Sequence, residues 1–267
     1  MVKKLFKHEI VSYLRTLLPV NLIVLAIAIM TRIVLFFEND SIIYSLVSGS
    51  SIFMFVVGII ACIFMTFIVA IVRFYKNLFT AEGYLMFTLP VTPNQHIFVK
   101  LLTAMLFEVM AVVTITLSFV TVTSGELLVE LLKAFGYLLK DVFSSAHALL
   151  YVIEFLIGIL LAGAYAYLLW YACISLGQRS RKNRIFMAIL AYFGYYMITQ
   201  IVSTVGMVMI MILGEAGILE SFANFFVEHP YASVHIVLIV YDLFMAAIST
   251  LFFFIVRNTM KNKLNLE

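Results

Sequence analysis

Residues 51–72 read SIFMFVVGIIACIFMTFIVAIV, a run without one charged side chain. A helix that crosses a bilayer needs about 20 mainly apolar residues. A barrel strand would need only about 10, in strict alternation, and this run does not alternate. Inside lipid a helix is the form that satisfies its own backbone hydrogen bonds. Five further runs qualify, at 17–37, 95–121, 148–176, 185–213 and 233–256. The expected fold is therefore all-α: a polytopic membrane protein with six transmembrane helices, in a single transmembrane domain over residues 1–267. Composition agrees. The chain is 64% hydrophobic and 12% charged, against about 45–50% and about 25% in soluble domains. Residues 1–8 are basic and the apolar run after them passes Met30 without a small-residue cleavage site, so it reads as a retained span, not a signal peptide. Cys62 and Cys173 lie far apart within apolar runs, which suits small buried hydrophobes, not a disulfide framework or a metal site.

Charge placement orients the spans. Lys3, Lys4, Lys7 and Arg15, then Arg73, Lys76 and Lys100, then Arg179, Arg181, Lys182 and Arg184, then Arg257, Lys261 and Lys263 make up most of the 17 Lys and Arg residues. The alternate segments carry Glu38 and Asp40, then Glu126, Glu130 and Asp141, then Glu215, Glu220 and Glu228, with Lys133 and Lys140 as their basic residues. The positive-inside rule puts the basic set in the cytoplasm, and with it both the N- and C-termini.

Residues 3–17 have the period of an amphipathic interface helix. Phe6, Ile10, Tyr13, Leu14 and Leu17 share one face and Lys4, Lys7, His8 and Arg15 the other. It either anchors to lipid headgroups or meets a cytoplasmic partner. The segment 73–94 is cytoplasmic in this topology yet rich in Phe, Tyr, Leu and Met, where a mere connector would be short and polar. Tyr75, Leu78, Phe79, Leu85 and Met86 are spaced for one or two short helices broken near Gly83. Rimmed by Lys76, Asn77 and Glu82, they suit either a protein interface or a helix lying on the membrane. Thr92, Pro93 and Gln95 form an N-cap, a first-turn proline and a capping box for the third span. Outside the cell, 122–147 and 218–228 read as short amphipathic pieces over the outer mouth.

Glu108 and Asp242 fall near the middle of the third and sixth spans. Ionisable groups at that depth are costly and usually face the bundle interior. They line a translocation route or make a packing contact. Glu154 and Arg32 sit nearer the outer surface and are candidates to pair. Gly158, Ala162 and Ala166 form a small-residue stripe that permits close helix packing.

The chain has no G-x-x-x-x-G-K-[ST] loop, no H-E-x-x-H, no G-x-S-x-G and no Thr-Val-Gly-Tyr-Gly filter. No catalytic residue, metal ligand or nucleic-acid contact is expected. The run Arg73-Phe-Tyr-Lys-Asn-Leu-Phe79, followed by Glu82-Gly-Tyr-Leu-Met-Phe-Thr-Leu-Pro-Val91, resembles the corresponding segment of the permease subunits of ABC-2-type ATP-binding cassette exporters of Gram-positive bacteria. The topology of the whole chain is similar to theirs. It is also similar to the membrane subunit of bacterial phenol-soluble modulin exporters, which move amphipathic peptide toxins. The resemblance implies a multi-pass protein of the bacterial cytoplasmic membrane whose Tyr75–Phe87 segment is a coupling helix docked on a separate ABC ATPase subunit. ATP and Mg²⁺ then belong to that subunit, and this chain is no enzyme. The expected interface is Tyr75, Lys76, Leu78, Phe79, Glu82, Tyr84, Leu85 and Met86. A second permease copy, the same chain or a related one, completes the route. The rival expectation is a secondary transporter or channel that uses Glu108 and Asp242, although Pro19, Pro90, Pro93 and Pro230 all fall outside the centres of the spans. A third is a membrane assembly factor.

Overall fold

A computed structural model of the chain describes residues 2–80, 82–83, 86, 88, 90–144, 146–180 and 183–262. Among them are eight long or medium helices and no strand: α1 (Val2–Phe36), α2 (Ile42–Phe79), α3 (Pro93–Val122), α4 (Glu126–Ser144), α5 (Ala146–Gly177), α6 (Arg184–Glu215), α7 (Glu220–Glu228) and α8 (Pro230–Asn262). Six of them, α1, α2, α3, α5, α6 and α8, are long and apolar enough to cross a membrane.

The helix ends follow from local chemistry. Ser41 caps α2 by accepting the Tyr44 N–H at 3.1 Å. At the start of α3 the Thr92 N–H donates to Gln95 Oε1 at 3.0 Å, and Pro93 takes the first turn, where its missing N–H costs nothing. α6 is terminated just beyond Glu215 by Gly217, whose φ of 72° is the left-handed conformation glycine adopts freely, and the Ile218 N–H closes back on the Leu213 carbonyl at 3.1 Å.

The chain clusters into two compact units, 1–140 and 141–267, with the boundary inside α4. In the first unit α1, α2 and α3 pack against one another. The buried face of α1 is a regular stripe of Leu5, Glu9, Tyr13, Leu17, Asn21, Val24, Ala28 and Thr31, stepping by three or four residues. Val24 meets Cys62 and Ala111 in a small apolar cluster, and Tyr13 stacks on Phe107 at 5.0 Å. Two polar members of the stripe are tied to main-chain carbonyls: Asn21 Nδ2 donates to Leu17 O at 2.7 Å and Thr31 Oγ1 to Ser51 O at 3.2 Å.

In the second unit α5 packs along α8 and α6, and α7 packs on α8. Trp170 stacks on Tyr192 at 4.5 Å to join α5 to α6. Where α5 ends, an ideal Cβ on Gly177 would lie 2.5 Å from Arg184 O and 2.8 Å from Ala188 N, so this turn requires glycine. None of the residues of α6 is buried.

Two readings of the sequence change here. Residues 3–17 are not a separate helix: α1 runs unbroken from Val2 to Phe36 with Pro19 inside it. Its buried face is also rotated from the expected one, because Leu5 and Glu9 are buried while Phe6, Ile10 and Leu14 are only half-buried. The first part of 73–94 is likewise helix, since α2 continues to Phe79. The segments at 122–147 and 218–228 contain α4 and α7, helical as expected.

Candidate functional site

Glu9 is wholly buried, and a carboxylate cannot leave water without donors. It finds three. Lys100 Nζ donates to Glu9 Oε1 at 2.7 Å, Asn77 Nδ2 to the same oxygen at 3.1 Å, and an Arg73 guanidinium nitrogen to Oε2 at 3.3 Å. Lys100 is itself 2% exposed. Arg73 also lies over the Tyr13 ring, 5.0 Å from its centroid. One carboxylate near the start of α1 therefore holds the end of α2 and the start of α3. His96, one turn before Lys100 on α3, is buried beside it.

The segment between those two anchors is the expected coupling element. Leu78 and Phe79 are buried, and Phe79 meets Phe74 edge-on at 5.7 Å. They belong to the packing of the unit and are not an exposed apolar surface, which corrects the sequence expectation for these two positions. Tyr75 is half-buried, Lys76 and Glu82 are exposed, and Met86 is half-buried. Tyr84 and Leu85 lie outside the described residues. Thr80 Oγ1 donates to the Lys76 carbonyl at 2.6 Å and the Gly83 N–H to the Thr80 carbonyl at 2.8 Å, so the chain turns immediately after α2.

The second unit carries a polar seam between α5 and α8. The Tyr151 hydroxyl donates to Tyr231 O at 2.9 Å, and the Tyr151 ring stacks on His235 at 4.2 Å. His235 Nδ1 lies 2.8 Å from Glu154 Oε2. Glu154 thus has His235 as a partner. Seven residues along α8, on the same face, stands Asp242, half-buried, with Oδ1 out of solvent and without a hydrogen-bond partner among the described residues. It fits because residue 158 is glycine: a Cβ there would come within 2.9 Å of Asp242 Oδ1. Deeper in the unit the Tyr165 and Tyr195 hydroxyls bond to each other.

Of the two mid-span carboxylates, then, Asp242 is folded into a seam. Glu108 is exposed and lies off the buried stripe of α3 that holds Lys100, Phe107 and Ala111. They belong to different units. The sequence reading missed Glu9 altogether and counted Lys100 only as a topology marker. The signal for Glu9 was its place four residues from Leu5 and from Tyr13, a lone acid on an apolar stripe.

No known family model matches the chain, and no curated protein and no solved structure matches it.

Proposed function

We propose that this chain is the membrane-spanning subunit of an ATP-driven exporter of the ABC-2 type. It forms the translocation route, and a separate cytoplasmic ATPase subunit binds and hydrolyses ATP with Mg²⁺. Both termini face the cytoplasm of a bacterial cell, a second permease copy completes the route, and the cargo is an amphipathic peptide or a hydrophobic compound.

The observation that carries the reading is how segment 73–94 is rooted. Its two flanks, Arg73 and Asn77 on one side and Lys100 on the other, converge on Glu9 of α1. A push on the exposed Lys76 and Glu82 therefore acts on three helices at once, and packed helices shift as bodies instead of bending. An ATPase groove that moved this segment would move α1, α2 and α3 together.

The test is to isolate the native protein in mild detergent and identify what accompanies it by mass spectrometry. An ATPase subunit is expected, and the paired change Lys76→Ala with Glu82→Ala lowers its recovery several-fold. Equal recovery and equal ATP hydrolysis by the variant would remove the coupling role from this segment.

A second reading has one observation in its favour. The unpartnered Asp242 oxygen suits a secondary transporter or channel whose carboxylates take up and release an ion. Transport that survives ATP depletion, collapses with the proton gradient and is lost in Asp242→Asn would select it.

A further inference from the structure

An open cleft of about 670 Å³ lies between α1 and the end of α2 in the first unit. It is two-sided. His8, Ser12, Arg73, Lys76, Asn77 and the acidic Glu82 line the polar part, and Ile68, Val69, Val72 and Met86 the apolar part. The border falls where the uncharged run of α2 gives way to its first charge, between Val72 and Arg73. On a membrane helix that is the level at which hydrocarbon meets headgroup.

The polar part has unused binding capacity. Arg73 spends one terminal nitrogen on Glu9, while its Nε–H is buried with no hydrogen-bond partner among the described residues. Charge around the cleft is also unbalanced. Arg73 and Lys76 in the lining outnumber Glu82 by one, and the Glu9 carboxylate that Arg73 meets behind the wall is also answered by Lys100. The exposed Lys4, Lys7 and Arg15 of α1 add to the same field.

We propose that this cleft binds an anionic phospholipid, with the headgroup phosphate against Arg73 and Lys76 and the acyl-glycerol part along Ile68, Val69 and Val72. A small inorganic anion would use only the polar wall, and a zwitterionic lipid would answer no charge surplus. The proposal is independent of any ATPase partner.

The test uses the full chain, purified in mild detergent and stripped of lipid, with phosphatidylglycerol, phosphatidylethanolamine, phosphatidylcholine or inorganic phosphate added in turn. Native mass spectrometry counts retained lipid, and thermal unfolding reads stabilisation. Phosphatidylglycerol is expected to be retained about fivefold over phosphatidylcholine, the preference that one basic side chain near a lipid surface confers. Lys76→Gln lowers that preference. Val72→Trp, which fills the apolar wall at an exposed position, lowers retention of phosphatidylglycerol. Three outcomes would each overturn the proposal: equal retention of all three lipids, stabilisation by phosphate alone equal to that by phosphatidylglycerol, or wild-type retention in both variants.

Discussion

In residues 1–140 the buried Glu9 carboxylate meets two cations and an amide, whereas in residues 141–267 Asp242 Oδ1 is out of solvent and meets no donor among the described residues. The contrast extends to the helices. Every spanning helix of the first unit packs on the other two, while α6 of the second packs on α5 and buries none of its own residues. A buried ion pair adds little net stability, but removing one partner strands the other. The first unit is therefore fixed by what would be stranded, and the second is left with a group that has nothing to lose.

That difference can be broken by mutation, and the largest effect belongs to Glu9. Glu9→Gln leaves Lys100 and Arg73 without their counter-charge and should cost about 3–5 kcal/mol, read as a lower unfolding midpoint and a lower folded yield in detergent. A midpoint equal to wild type would mean that water reaches the cluster. Next comes Gly158→Ala, whose new methyl group crowds Asp242 and should cost about 1–3 kcal/mol. Combining it with Asp242→Ala should recover most of that loss, and a purely additive double variant would show that the two positions do not meet. Glu154→Gln weakens the bond to His235, in a pair that is part-exposed, for a loss of about 1 kcal/mol. The smallest change belongs to Asp242→Asn, expected within about 0.5 kcal/mol of wild type. Set beside Glu9→Gln, it is the sharpest form of the comparison: two carboxylates, one indispensable to folding and one not. Under the proposed transport function, a fall in export by Asp242→Asn at unchanged stability would give that carboxylate a part in the route.

The six apolar runs in the sequence correspond to six helices because lipid leaves the backbone no other economical form, and hydropathy alone reports that. What hydropathy does not report is where a helix goes after it leaves the apolar stretch. Hence α1 starts 15 residues before its run at 17–37, and α2 begins nine residues before Ser51 and ends at Phe79. Caps were legible where the signal is local, as at Thr92–Gln95. The Glu9 cluster was not, since its members are 64, 68 and 91 residues apart in sequence and each looks ordinary by itself. Leu78 and Phe79 misled for a related reason. An apolar residue beside a membrane span reads as exposed until the neighbouring helix that covers it is known.

The separation between Glu9 and Lys100 also sets an order of events during synthesis. At roughly 5–20 residues per second the lysine emerges several seconds after the glutamate. Until then Glu9 has the Arg73 guanidinium and the Asn77 amide but not the Lys100 ammonium, its nearest counter-ion, so one of its two oxygens lacks a charged donor and burial of the first turns of α1 stays incomplete. Closure of the first unit waits for α3, and the arrival of a single ammonium group is the event that seals it.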